Sequence, residues 1–106
     1  MMAHIDVFAN ADAHSRRLYP FLLEVQADLL RDLPTTVVIP LALPAAVENL
    51  PASDLNPEFT VAGKRLLAMT QELSAIQRRA LGKRTLSLAS EQHRILAALG
   101  LLLSDY

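Results

Sequence analysis

The stretch that most constrains this chain is its end, Leu88 to Tyr106, which reads LASEQHRILAALGLLLSDY. At about 100° per residue, Leu88, Ile95, Leu96, Leu99, Leu102 and Leu103 share one side of a helix, and Ser90, His93 and Arg94 fall opposite. The spacing predicts an amphipathic C-terminal helix that must bury its leucine side against everything before it. Leu101 departs from the pattern. On the same wheel it lies with Ser90, Arg94 and Ala97, on the side expected to face water, directly after Gly100. A leucine there is a candidate contact for a dimer or another partner.

A chain of 106 residues has room for one domain and a single modest core. Apolar residues make up 52% of it and aromatics 5%, so that core must be built from Leu, Val, Ile and Ala, with few stacking platforms for bases. Ten basic and eleven acidic residues leave a net charge of −1, which supplies no global field for nucleic acid or an anionic membrane. Cysteine is absent, which excludes disulfides and thiolate metal sites and fits a reducing compartment. No apolar run reaches the ~18 residues a membrane span needs, and MMAHIDVF lacks a signal pattern. The expected location is the cytoplasm, without membrane attachment.

Before the terminal helix the chain reads as short extended pieces. Ile5, Val7 and Ala9 alternate with Asp6 and Phe8 as in a strand, and Asn10 to Ser15 supplies turn residues. After Pro20, FLLEVQADLL puts Phe21, Leu23, Val25, Ala27 and Leu29 on one face and Glu24, Gln26 and Asp28 on the other, which predicts a half-buried strand with its acids in solvent. TTVVIPL is rich in β-branched residues and predicts a second buried strand closed by Pro40. Pro44, Pro51 and Pro57 leave no room for a long element between Ala42 and Glu58. A hairpin is expected around Gly63-Lys64, flanked by Phe59 and Val61 before it and Leu67 and Met69 after it. From there the local signals favour helix, because Leu66, Met69, Leu73, Ile76 and Ala80 recur at helical spacing among good helix formers. Gly82 would end that element, and Lys83 to Ser87 would lead into the last helix, capped by Ser87 or Ser90.

Little in the residues points to catalysis. His4, His14 and His93 lie far apart and lack ligand spacing, so no metal and no other cofactor is expected. No serine sits in a nucleophile elbow, and no glycine-rich loop could cradle phosphate. Arg78, Arg79, Lys83 and Arg84 form the one dense charge cluster, four cations in seven residues. With no aromatic interleaved, a solvated loop or a docking point for an acidic partner segment is favoured there over nucleic acid.

Several motifs recur together in a known order. Glu24-Val25-Gln26-Ala27-Asp28-Leu29-Leu30 is followed by Val38 to Ala42 (VIPLA), then Leu55-Asn56-Pro57, then Met69-Thr70, and then the terminal helix. In that order and spacing the chain resembles the CcdB family, small toxins of toxin–antitoxin modules, over nearly its whole length. The resemblance implies a single domain over 1–106, mostly β, with an SH3-like antiparallel sheet resembling a barrel, one C-terminal α-helix, and a homodimer. It also implies strand, not helix, from Lys64 to Ile76.

The activity implied is binding without catalysis. The dimer would engage DNA gyrase through the subunit that carries its breakage-reunion domain and trap the enzyme on cleaved DNA. A CcdA-like antitoxin would neutralise it through a segment that folds on binding. By the same resemblance the gyrase contact falls on Leu29 and Leu30, the aliphatic pair after Val-Gln-x-Asp, and on Gly100, Leu103, Ser104, Asp105 and Tyr106 at the end of the helix. Leu101 is left for the dimer or a partner, and Arg78, Arg79, Lys83 and Arg84 for an acidic partner. The family tail ends Asn-Leu-Met-Phe-Trp-Gly-Ile where this chain has Gly100 to Tyr106, so Ser104-Asp105 replaces Trp-Gly. Two alternatives stand beside the gyrase reading: a non-toxic homologue that still binds antitoxin, and an RNA endonuclease toxin resembling MazF.

Overall fold

The computed structural model describes residues 5–47 and 54–104. Its elements in chain order are β1 (Asp6–Asn10), β2 (Phe21–Glu24), β3 (Thr35–Ala42), β4 (Glu58–Val61), β5 (Lys64–Ala68), β6 (Ser74–Gln77), β7 (Leu81–Ser87) and the helix α1 (Gln92–Leu103). Single 3-10 turns stand at Asp28–Leu30, Pro44–Ala46, Thr70–Glu72, Arg78–Ala80 and Ala89–Glu91. The fold is mostly β, a curled antiparallel sheet with one C-terminal helix. Strand order is β4-β5-β3-β2-β1-β7, and β6 pairs with β3 beside that path.

β3 occupies the centre because TTVVIPLA suits burial on both faces: Thr36, Val38, Ile39, Leu41 and Ala42 are all buried. One of its edges pairs with β2 from Val38 to Leu41. The other is divided, with Thr35 to Val38 on β6 and Leu41 and Ala42 on β5. Pro40, expected to close the strand, lies within it. Its carbonyl accepts the Met69 N–H at 2.9 Å, so its missing N–H faces the gap between β6 and β5, where no ladder bond is lost.

β2 is shorter than the alternation of FLLEVQADLL predicts. It ends at Glu24, with one further bond from the Val25 N–H to the Val37 carbonyl, and the chain then turns at Asp28–Leu30. Leu29, expected on the core face, is therefore exposed, and Glu24, expected in solvent, is buried. The acid is enclosed because Thr36 of β3 and Arg78, just after β6, close over it.

Lys64 to Leu81 is not helical. β4 and β5 form a hairpin through Ala62 and Gly63, both at positive φ (53° and 78°), one residue earlier than expected. Leu66, Leu67 and Ala68 are buried in β5, and pairing with β4 and β3 overrides their helix preference. The strand expected to Ile76 is present but broken by the turn at Thr70–Glu72. Lys83 to Ser87, read as a lead-in, belongs to the strand β7 (Leu81–Ser87) paired with β1, and Gly82 lies inside it rather than ending an element. A Cβ there would stand 2.5 Å from the Ala9 carbonyl oxygen, so only glycine lets the two strands approach.

The predicted terminal helix begins at Gln92, after a 3-10 turn whose Ala89 N–H donates to the Ser87 hydroxyl at 3.1 Å. Leu88, Ile95 and Ala98 are buried, and Leu99 packs, partly buried, at the margin of the core. Leu96 and Leu103, assigned to the inward side from the wheel, are exposed. The helix lies down along Ile95 and Ala98, where a small residue permits close approach, so its buried stripe is narrower than the leucines suggest.

Candidate functional site

The end of α1 has no polar side among its last leucines. Leu103 is 73% exposed and Leu101 51%, Leu96 is nearly as open, and Ala97, Gly100 and Ser104 are also exposed. Leu101 faces outward as the wheel indicates. Asp105 and Tyr106, the last two residues of the implied gyrase contact, lie outside the described residues.

A second apolar prominence is the turn between β2 and β3. Leu29 is 92% exposed, and Leu30 and Leu33 are each nearly half exposed. The sequence reading placed Leu29 and Leu30 in a contact but passed over Leu33. The signal was available: a leucine in Asp32-Leu33-Pro34 sits in turn chemistry, where a core position is not expected. Beside this turn a cleft of about 650 Å³ is lined by Pro34, Thr35, Gln77, Arg78 and Arg79.

The four clustered cations do not form one free patch. Arg78 is ion-paired to Glu24 at 2.7 Å and is only a third exposed. Arg84 pairs with Asp6 across β1 and β7 at 3.1 Å, which raises its pKa first by hydrogen bonding and then by charge. Arg79 donates to the Gln77 side chain at 2.5 Å, and Lys83 has no ion-pair partner among the described residues. Among the described residues, two of the four cations, Arg79 and Lys83, therefore remain unpaired with any acid.

The cleft of about 570 Å³ on the sheet face opposite the core has an apolar floor of Leu22, Val38, Pro40 and Ile76. Its rim is the loop between β1 and β2, held shut by its own polar groups. The Asn10 amide donates to the Ser15 hydroxyl at 2.9 Å and the Tyr19 carbonyl at 2.8 Å, while its oxygen accepts the Asp12 N–H at 3.0 Å. Asp12 accepts from the Ser15 hydroxyl and N–H, and these bonds lower its pKa. Tyr19 is moved the other way, first by burial and then by the neighbouring Glu72 carboxylate. These polar groups are spent on loop structure, so the rim offers no unengaged acid–base pair.

His14 and His93 are exposed and His4 lies outside the described residues; among those described, no three His, Cys, Asp or Glu side chains converge as a metal site. Among the described residues no helix is long and apolar enough to cross a membrane.

Exposed leucines thus stand at two places on the curled sheet, the terminal helix and the β2–β3 turn. The sequence profile described as "CcdB protein" matches residues 4–104. The chain belongs to the CcdB family. Membership makes it a toxin of a toxin–antitoxin module, as the ordered motifs implied. Among solved structures, the Mycobacterium tuberculosis toxin MazF-mt6 superimposes with a TM-score of 0.70 over 97% of this chain and 99% of that one. Identity is 16%, so the likeness to that toxin is one of fold. Comparison with curated protein sequences finds no match. On the CcdB scaffold of this chain, Leu29 and Leu30 sit on the turn after β2, and Gly100, Leu103 and Ser104 at the end of α1.

Proposed function

We propose that this CcdB-family chain is one toxin domain over 1–106 that acts as a cytoplasmic homodimer. It binds the breakage-reunion domain of DNA gyrase, holds the enzyme on cleaved DNA, and is silenced by a CcdA-like antitoxin. The observation that carries this reading is the end of α1, where Leu96, Leu101 and Leu103 each stand about half exposed or more. A helix with leucines on several sides has no face suited to water alone, and a small domain gains by covering them. Leu29 and Leu30 form the second contact. Tyr106, two residues after the position where the family carries Trp, substitutes for the lost aromatic, and aromatic anchors dominate such interfaces. The protein acts by holding its target, not by making or breaking bonds. Arg79 and Lys83 remain to meet the acidic segment of the antitoxin.

The test is binding of the purified chain to the breakage-reunion domain of gyrase, with growth of the host measured when the chain is expressed without antitoxin. Tight binding and growth arrest are expected. A chain that neither binds nor slows growth would end the gyrase reading. One second reading has its own observation: Ser104-Asp105 puts a charge where the family has Trp-Gly, which suits a homologue that keeps its antitoxin and has lost its target. Grafting Phe-Trp-Gly-Ile onto the end of α1 separates the two, since restored toxicity assigns the loss to the tail.

A further inference from the structure

Arg78 points inward. Its Nη1 donates to Glu24 Oε2 at 2.7 Å, and the same carboxylate oxygen accepts the Thr36 hydroxyl at 2.5 Å. Its Nε donates to the Leu33 carbonyl at 3.4 Å, and its backbone N–H to the Pro34 carbonyl at 2.7 Å. One residue, reaching across from the end of β6, thus holds the returning limb of the turn that carries the exposed leucines. The outgoing limb is tied from the other side. The Gln26 amide donates to the Leu30 carbonyl at 3.2 Å and the Thr35 carbonyl at 3.1 Å. Within the turn, the N–H groups of Leu30, Arg31 and Leu33 donate to Ala27, Asp28 and Leu30.

This arrangement answers a physical difficulty. Three leucines in a short exposed turn gain by folding back onto the surface, and a turn free to do so must be reopened before anything can bind it, which lowers affinity. Here the polar ties fall on the backbone carbonyls of Leu30, Leu33, Pro34 and Thr35, while the leucine side chains take no part. The backbone is fixed and the apolar groups are left outward.

We propose that Arg78 is a positioning residue: anchored on Glu24 and Thr36, it holds the Asp28–Pro34 turn in one conformation, so that Leu29, Leu30 and Leu33 form a preformed crest for the protein target. This rests on the reading that the turn meets the target. It adds Leu33 to the contact and assigns Arg78 to the scaffold instead of to charge docking.

The experiment compares the wild type with Arg78→Lys, Arg78→Gln, Glu24→Gln and Gln26→Ala by amide hydrogen exchange, and by calorimetric titration with the gyrase breakage-reunion domain. In Arg78→Gln and Glu24→Gln the amides of Leu30, Arg31 and Leu33 lose protection while those of β2 and β3 keep theirs. Affinity falls roughly 5- to 20-fold through a larger entropic cost. Arg78→Lys keeps the charge but cannot span Glu24 and Leu33 together, so it falls between. Gln26→Ala leaves the ion pair intact and loosens the turn alone, which keeps the test open if an Arg78 variant fails to fold. Unchanged protection of the turn in the folded variants overturns the proposal, as does a loosened turn that binds with unchanged affinity. Failure of the gyrase reading looks different: the wild type itself does not bind, and the exchange pattern still decides whether Arg78 holds the turn.

Discussion

The guanidinium of Arg94 lies over the ring of Phe59, 4.7 Å from its centroid, and joins α1 to the first strand of the β4–β5 hairpin. The same side chain donates to the Glu58 carbonyl at 3.0 Å and to Glu91 at 2.6 Å. The wheel placed Arg94 on the wet side of the helix, and it is instead half covered, with its stem and plane used for packing. Arg94→Ala loses the ring contact and both guanidinium hydrogen bonds, and is expected to lower stability by about 1 to 2 kcal/mol in urea unfolding. Arg94→Lys retains the charge but not the plane and should recover less than half of that loss. A lysine variant as stable as the wild type would show that the stacking contributes nothing.

Gly82 and Gly100 should respond oppositely to the same substitution. A methyl group at Gly82 meets the Ala9 carbonyl oxygen at 2.5 Å, a backbone atom that cannot swing aside, so Gly82→Ala must part β7 from β1. The expected loss is about 1 to 3 kcal/mol. Nothing lies within 4 Å of the corresponding position on Gly100, in the last turn of α1, so Gly100→Ala should stabilise the fold by about 0.5 to 1 kcal/mol. If Gly100 belongs to the contact surface, the same variant binds its target less well while melting higher, a combination that purely structural glycine cannot give.

How far the sequence could be read depended on whether the deciding interactions were local. TTVVIPLA announces a buried strand whatever surrounds it, and the repeating leucines of α1 announce a helix. LGKRTLS shows no clear alternation, and it becomes β7 through its pairing with β1 and the close approach at Gly82. Lys64 to Ala68 has the composition of a helix and is held as a strand by neighbours far off in sequence, so the ordered family motifs found what propensity missed. The candidate site divides in the same way. The exposure of Leu101 follows from the wheel, whereas the inward turn of Arg78 depends on Glu24, 54 residues away, and no local pattern encodes it. Leu29 was misassigned because alternation continues past the residue where pairing stops.

Two acids tie local structure to pH. The Ser15 hydroxyl and N–H hold the Asp12 carboxyl below its ordinary value, and the Arg65 hydrogen bonds do the same for Glu58 across the hairpin, with contacts of 2.9 Å. A carboxyl with a lowered folded pKa contributes its stabilisation fully above the ordinary value, and that contribution is lost as pH falls through the lowered one. Both sites are solvent-exposed, so the effect is local and screened by salt. As pH drops from about 5 towards 2, amides of the β1–β2 loop and of the β4–β5 hairpin should lose protection before those of β3. In Asp12→Asn the loop should already exchange faster at about pH 7 and show a weaker pH dependence. A wild-type loop whose protection does not change over this range would remove Asp12 from the account.

The leucines of α1 separate folding from binding. Ile95 is 2% exposed within the main core cluster, and Ile95→Ala is expected to cost about 2 to 5 kcal/mol by leaving a cavity. Leu99 lies at the margin of the same cluster, and Leu99→Ala should fall at or below the lower end of that range. Leu101 and Leu103 extend into solvent, and their alanine variants should melt within about 0.5 kcal/mol of the wild type in a monomeric state. Their losses should appear instead in association, Leu101→Ala in self-association followed by sedimentation, and Leu103→Ala in binding to the gyrase domain. Because a dimer is stabilised by mass action, the Leu101 variant should also show a smaller rise of melting temperature with concentration than the wild type. Equal melting losses at Ile95 and Leu101, measured where both chains are monomeric, would mean that the outer side of the helix is packed within one chain, and the terminal helix would no longer be available as a docking surface.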